Sequence, residues 1–117
     1  MKVLICGGRD YTNEGYLRDE LEAFDALTPI TCVVHGGQRG VDKFANTWAL
    51  DNGIEVREYK ADWEQFGRSA GPIRNKLMLY KEEPDLVIAF PGNRGTAHMI
   101  EISEEQGYPV KRVGEGT

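Results

Sequence analysis

Three glycine-rich segments of this chain could hold a phosphate group with their backbone N–H groups. They read GGRDYTN from Gly7, HGGQRGVD from His35 and PGNRGT from Pro91. Each follows an apolar run and precedes a helical pattern, and at the start of a helix the unpaired N–H groups and the helix dipole favour an anion. One such segment would be weak evidence, because a tight turn between strand and helix needs glycine anyway. Three in one chain predict an anion site.

The arginines concentrate in the same parts of the chain. Five of the eight lie in the loops after apolar runs or at the start of the helix that follows: Arg9, Arg39, Arg68, Arg74 and Arg94. The chain as a whole is acidic, with a net charge of −5, which argues against broad electrostatic binding of nucleic acid. Because a guanidinium group matches phosphate in shape and charge, arginines gathered in an acidic protein predict a compact phosphorylated ligand.

Acidic and aromatic side chains follow the same apolar runs. Asp10, Asp42 and Asp62 come after the first three runs, where each could accept a hydrogen bond from a ribose hydroxyl, cap a helix or pair with an arginine. Trp63 lies in the longest loop and could stack on a base or cover its own loop. Capping or pairing is the commoner use of any single one of these carboxylates, so these side chains allow contacts to a sugar or a base but leave the ligand open.

Neither disulfide nor metal chemistry is predicted. Cys6 and Cys32 lie at the ends of apolar runs instead of in a C-x-x-C pair, which is typical of small buried side chains. His35 and His98 are too few and too far apart to indicate a metal site, and we expect His98 to lie exposed on its helix. We therefore expect no required cofactor, although Mg²⁺ could accompany a phosphorylated ligand.

Apolar, β-branched runs alternate with helical patterns along the whole chain. Strands are predicted at residues 2–6, 30–34, 55–59, 85–90 and 109–113, and helices at 15–27, 41–51, 72–80 and 95–106. The strand at 55–59 is expected near the sheet edge, and residues 60–70 are expected to form a long loop. Alternation of this kind predicts a single α/β domain over residues 1–117, Rossmann-like, with about five parallel strands and helices on both faces.

The length and the apolar runs set further expectations. A chain of 117 residues is long enough for one domain with its own core. No apolar run approaches the roughly 20 residues that a membrane helix needs, and the first apolar block is too short for a signal peptide. We therefore expect a cytoplasmic protein with no membrane partner. The final GEGT is expected to be a mobile tail.

Four motifs resemble the SLOG superfamily of Rossmann-like domains, specifically its small YspA/YpsA-related branch. The motifs are GGRDY, HGGQRGVD, ADW with AGPIRNKLM, and AFPGNRGTAHMI, and they occur in order over nearly the whole chain. The resemblance implies a domain that binds nucleotides or nucleotide-derived ligands, often as a homodimer. It also implies a role in sensing or nucleotide-linked signalling.

A related branch, the Lonely Guy phosphoribohydrolases, cleaves the N-glycosidic bond of nucleoside 5′-monophosphates with an arginine and a glutamate. RNKLM resembles its arginine motif at Arg74, with Asn75 in place of lysine, but Met99 stands where that family has the glutamate. A residue at 99 is expected to face the ligand. Glu101 lies two residues further, about 200° around a helix, on a solvated acidic face. The candidates for a relocated carboxylate are Asp10, Asp42, Asp62 and Glu64.

The sequence thus favours binding of a nucleotide or nucleotide-derived phosphorylated ligand. The alternative is a nucleoside 5′-monophosphate N-glycosidase that uses Arg74 as a catalytic residue with a relocated carboxylate, and single-stranded DNA binding is a weaker alternative. The candidate ligand-binding residues are Gly7, Gly8, Arg9, Asp10, Gly36, Gly37, Arg39, Gly40, Asp42, Asp62, Trp63, Arg74, Asn75, Pro91, Gly92, Asn93, Arg94, Gly95 and Thr96.

Overall fold

A computed structural model describes residues 1–114 and shows an α/β architecture. The strands are β1 (Lys2–Cys6), β2 (Cys32–His35), β3 (Glu55–Glu58), β4 (Leu86–Ala89) and β5 (Val110–Arg112). The helices are α1 (Glu14–Leu27), α2 (Val41–Asp51), α3 (Trp63–Phe66), α4 (Ala70–Glu82) and α5 (Arg94–Glu105). None of the helices in this part of the chain could cross a membrane, because none is long and apolar enough. Apart from Gly114, the predicted tail lies outside the described residues.

The five strands form one parallel sheet in the order β3-β2-β1-β4-β5. β2 and β3 lie on one side of β1, and β4 and β5 lie on its other side. The predicted parallel α/β fold and the edge position of β3 are confirmed. Because the strand order changes direction at β1, the loops after β1 and β4 diverge there and leave a crevice at the carboxyl edge of the sheet.

Two hydrophobic cores lie on opposite faces of the sheet, because successive side chains of a strand point to opposite sides. Val3 and Ile5 of β1 belong to the core that includes side chains of α1 and α2, among them Leu21 and Trp48. Leu4 of β1 and its neighbours on β2 and β4 belong to the second core, with side chains of α4 and α5. The prediction of helices on both faces is therefore confirmed.

The segment at residues 60–70, which we predicted as a loop, is largely helical. It contains α3 and a single 3₁₀ turn, and α4 begins at Ala70 instead of at residue 72. The Asp62 carboxylate caps α3 by accepting a hydrogen bond from the Gln65 N–H at 3.1 Å. Trp63 and Phe66 remain exposed, so this short helix has no buried face and therefore no apolar period in the sequence.

A buried carboxylate at the end of α4 ties that helix to two strands. Glu82 accepts hydrogen bonds from Lys2 Nζ at 3.1 Å, from Arg57 Nη1 at 2.9 Å and from the Tyr59 hydroxyl. Burial alone would raise the pKa of Glu82, but these three hydrogen bonds lower it below its ordinary value. Burial of the Tyr59 hydroxyl and its hydrogen bond to Glu82 raise the pKa of Tyr59 to about 12.

Replacing Glu82 by glutamine should destabilise the fold by about 1.5–3 kcal/mol at neutral pH, because hydrogen bonds to a charged group are lost. Since the folded pKa of Glu82 is lowered, its stabilising effect is present above the ordinary carboxyl range and is lost as the pH falls through the folded value. Urea unfolding of wild type and Glu82→Gln between pH 3 and 7 measures both effects, with the exposed Glu105→Gln as control. A pH-independent difference between Glu82→Gln and wild type would contradict the assignment.

Candidate functional site

A cavity of about 530 Å³ lies at the carboxyl edge of the sheet. Its volume is within the range of about 300–1,000 Å³ that small-molecule sites occupy. The loops after β1, β2 and β4 contribute to its lining, together with α3 and the first turns of α4 and α5. Eleven of the predicted site residues line it: Gly7, Arg9, Gly36, Asp42, Trp63, Arg74, Asn75, Asn93, Arg94, Gly95 and Thr96.

Other predicted residues hold the loops against one another. The Gly8 N–H donates to the Pro91 carbonyl at 2.8 Å, and a Cβ at Gly40 would overlap the backbone of Gly8. Arg39 and Asp10 form an exposed ion pair at 2.9 Å. Gly8, Asp10, Pro91 and Gly92 line a neighbouring cavity of about 380 Å³. Gly37, Arg39, Gly40 and Asp62 are not among the lining residues of either cavity.

Three N–H groups of the loop after β2 already have acceptors within the protein. Those of Gly36 and Gln38 donate to Asp42 Oδ2 at 3.2 Å each, and the Gly37 N–H donates to His35 Nδ1 at 2.9 Å. The loop therefore fixes the Asp42 side chain beside the cavity. Although its sequence resembles the other glycine-rich segments, the N–H groups of Gly36, Gly37 and Gln38 are engaged and do not form an open cradle.

The first turn of α5, in contrast, keeps its N–H groups unpaired. The side chain of Asn93 forms no cap hydrogen bond, and the first backbone bond runs from the Ala97 N–H to the Asn93 carbonyl at 2.9 Å. The N–H groups of Arg94, Gly95 and Thr96 have no acceptor among residues 1–114, and all three residues line the cavity. This turn has the geometry of an anion-binding helix start.

A buried guanidinium group stands beside this turn. Arg74 is only 8% exposed; its Nη1 donates to the Gly36 carbonyl at 2.6 Å and its Nε to Asn75 Oδ1 at 3.0 Å. A Cβ at Gly36 would overlap the guanidinium group, so a side chain at this position would have to displace Arg74. Burial lowers the pKa of Arg74 and the Asp42 carboxylate opposes that shift, yet an arginine stays charged in proteins. Its Nη2 has no acceptor within the described part of the chain.

The pairing of the arginines separates them into two groups. Arg18, Arg39, Arg57 and Arg112 each form an ion pair with a carboxylate and are not among the residues that line the cavity. Arg9, Arg68, Arg74 and Arg94 have no carboxylate partner among residues 1–114, and all four line the cavity. Asp42 is the one carboxylate among the lining residues of the described chain. The cavity therefore carries an excess of positive charge in a protein whose net charge is −5.

Two further titratable groups at the cavity are shifted by burial. Burial raises the pKa of Asp42, against the opposing effects of the Gln38 N–H, His35, Arg74 and the Gly36 N–H. Burial also raises the pKa of the Cys6 thiol to about 12, so it stays protonated and is a poor nucleophile. Of the four carboxylates considered from the sequence, Asp42 is the one that reaches the cavity.

Helix α5 presents different residues to the cavity from those expected. Met99 is 1% exposed and packs in the core with Met78, so the expectation that position 99 faces the ligand is wrong. Glu101 is exposed, as predicted. His98, expected to be exposed, is half-buried and lines the cavity. Adjacent residues of a helix point about 100° apart. Which of residues 98 and 99 faces the cavity therefore depends on the rotation of α5 relative to the sheet.

Several lining residues were absent from the predicted site: Ile5, Cys6, Gln38, Arg68, Gly71, Pro72, Met78 and His98. Arg68 carried a usable signal, because it belongs to the same set of loop arginines as Arg74. Gly71 and Pro72 carried none, since their segment lacks an apolar period and its helical turns were read as a loop.

The fold and this site together define a Rossmann-like α/β protein with an arginine-lined cavity at the carboxyl edge of its sheet. Residues 1–66 match the model of the YspA, cpYpsA-related SLOG family. The chain is also 34% identical to Gene 61 protein of Mycobacterium phage D29 over 122 aligned residues, which cover 97% of each chain. The protein therefore belongs to the YspA, cpYpsA-related SLOG family, as the motifs predicted.

The close approach of Arg74 to Gly36 makes a testable prediction. Gly36→Ala should destabilise the protein by about 1–3 kcal/mol, because the added methyl group must displace the buried guanidinium group. Gly15→Ala is the matched control: no atom lies within 4 Å of a Cβ at Gly15, and alanine is favoured over glycine in a helix by roughly 0.5–1 kcal/mol. Urea unfolding of both variants measures the difference. Equal stability of the two variants would contradict the contact.

Proposed function

We propose that this protein binds a nucleotide or nucleotide-derived phosphorylated ligand in the cavity at the carboxyl edge of the sheet. The observation that carries the proposal is the set of four arginines, Arg9, Arg68, Arg74 and Arg94, that lack a carboxylate partner in the described chain and line one cavity. In an acidic protein carboxylates outnumber the basic side chains. Four arginines without a carboxylate partner around one cavity therefore favour an external anion. Family membership is consistent with a nucleotide-related ligand.

The phosphate of the ligand would lie at the start of α5. The unpaired N–H groups of Arg94, Gly95 and Thr96 supply backbone donors there, and the helix dipole adds a partial positive charge. Arg74 supplies a charged donor that is already immobilised by its bonds to Gly36 and Asn75. Because the guanidinium group is ordered before binding, little side-chain entropy is lost when it bonds a phosphoryl oxygen.

The rest of a nucleotide would extend across the cavity toward α3. Trp63 is 53% exposed and forms part of the lining, where its indole ring can stack on a base. Asp42 also lines the cavity, with its carboxylate fixed by the N–H groups of Gly36 and Gln38, and it can accept a hydrogen bond from a sugar hydroxyl. A sensing or signalling role would follow from binding alone and needs no reaction.

Titration calorimetry against AMP, ADP-ribose and a cyclic dinucleotide tests the proposal. Arg94→Ala should weaken binding of the phosphorylated probe by at least about 10-fold, because it removes a charge-assisted contact at the start of α5. Arg112→Ala, which removes an exposed arginine paired with Glu104 outside this cavity, should leave the affinity unchanged. Absence of binding by every probe at millimolar concentration would contradict the proposed function.

A second candidate function is hydrolysis of the N-glycosidic bond of a nucleoside 5′-monophosphate. The observation that favours it is that Asp42, whose pKa is raised by burial, lines the same cavity as Arg74. As the bond between the sugar C1′ and the base nitrogen breaks, the base must gain a proton and water must add to C1′. Asp42 would supply that proton, the attacking water would return a proton to the Asp42 carboxylate as its oxygen bonds C1′, and Arg74 would bind the phosphate. The products would be the free base and ribose 5-phosphate.

Chromatography of AMP incubated with the protein tests this second function. Asp42→Asn should abolish adenine release while AMP still binds, whereas Glu101→Gln, on the exposed face of α5, should have no effect. Because the proton donor must be protonated, the rate of the wild type should fall as the pH rises through the raised pKa of Asp42. A wild-type rate no greater than that of Asp42→Asn would exclude the reaction.

A further inference from the structure

A chain of side-chain hydrogen bonds runs from Arg74 to His98 and joins α4 to α5. Arg74 Nε donates to Asn75 Oδ1 at 3.0 Å. The side-chain amide nitrogen of Asn75 lies 3.2 Å from His98 Nδ1 and donates to the Gly95 carbonyl at 3.2 Å. One amide group therefore connects the buried guanidinium group, an imidazole ring and the first turn of α5.

The partners of Asn75 determine the orientation of its amide. Arg74 Nε–H can only donate, so the oxygen of Asn75 must face it and the NH₂ group must face the other way. The carbonyl of Gly95 can only accept, which requires the same orientation. Both constraints agree, and the amide is therefore fixed from two sides.

The fixed amide in turn determines which nitrogen of His98 carries the proton. Because the NH₂ group of Asn75 donates toward Nδ1, that nitrogen must offer a lone pair. A neutral imidazole ring with a lone pair on Nδ1 has its proton on Nε2. The Nε2–H of His98 has no acceptor among residues 1–114, and the residue lines the cavity.

Four donors at this end of the cavity then lack an acceptor among residues 1–114. The N–H groups of Gly95 and Thr96, the Nη2 of Arg74 and the Nε2–H of His98 all need an acceptor. A phosphoryl group presents acceptor oxygens in several directions, whereas an amino group presents mainly donors. The opposite His98 tautomer would place a lone pair there instead, which would repel a phosphoryl oxygen and favour a hydroxyl group.

We propose that Arg74, acting through Asn75, holds His98 as the Nε2–H tautomer, and that His98 thereby adds a fourth unpaired donor to a site for a phosphoryl group at the start of α5. The ligand part of this inference rests on the proposed function, but the tautomer does not. His98 is a specificity-determining residue in this view, and Asn75 is a positioning residue.

The tautomer can be measured without any ligand. Long-range ¹H–¹⁵N NMR spectra of the protein labelled at histidine nitrogens distinguish the two tautomers, and because the chain has two histidines, the signals lost in His98→Gln belong to His98. At neutral pH these signals should show the Nε2–H pattern. In Asn75→Asp, whose carboxylate only accepts, the proton should move to Nδ1. A wild-type Nδ1–H pattern, a doubly protonated ring or averaging between tautomers would overturn the proposal, whether or not the variant folds.

The role toward phosphate is tested with AMP and with adenosine, which lacks the phosphate. His98→Leu should bind AMP about 10-fold more weakly, while His98→Gln, which keeps an N–H near the Nε2 position, should stay within about 3-fold of wild type. Adenosine should bind both variants alike. Equal AMP affinity of His98→Leu and wild type would overturn the role of His98. If AMP binds no variant while the NMR pattern is Nε2–H, the phosphoryl role fails with the proposed function and the tautomer assignment stands.

Discussion

The buried guanidinium group of Arg74 is the interaction on which the site depends. It fills the space left by the missing side chain of Gly36 and bonds the carbonyl there, so it holds the loop after β2 against α4. Through Asn75 it also holds the first turn of α5. A charge buried to this extent is costly unless it is hydrogen-bonded. The Nη2 of Arg74 remains able to donate a hydrogen bond. The positive charge of Arg74 and the carboxylate of Asp42 both lie at the same cavity.

The three glycine-rich segments have different structural functions despite similar sequences. The segment after β1 contacts the backbone of the other two through Gly8. The segment after β2 uses the N–H groups of Gly36 and Gln38 to hold Asp42, and the segment after β4 leaves the N–H groups of the first turn of α5 unpaired at the cavity. Glycine thus serves close backbone packing in all three segments, at Gly8, Gly40 and Gly92, and the third segment also leads into the open start of α5.

Much of the cavity lining could be predicted from the sequence, because its residues follow strands whose carboxyl ends meet at one edge of a parallel sheet. Arg74, Asn75 and the segment from Asn93 to Thr96 were found in this way. The sequence also indicated that Glu101 lies on a solvated face, as it does. His98 was missed, because helical periodicity gives the relative angles between residues but not the absolute rotation of α5 against the sheet. The expectation that position 99 faces the ligand came from the resemblance to the Lonely Guy motif, but Met99 belongs to the core.

The sequence by itself determined the α/β class, the parallel sheet, the two covered faces and the family, because these follow from local periodicity and from motifs that are continuous along the chain. Only the tertiary structure decided which arginines lack carboxylate partners, which carboxylate reaches the cavity and which loop N–H groups remain unpaired. Those properties depend on distances between residues far apart in the sequence, such as the 38 positions between Gly36 and Arg74. Pairing and burial are properties of the folded arrangement, and no local pattern encodes them.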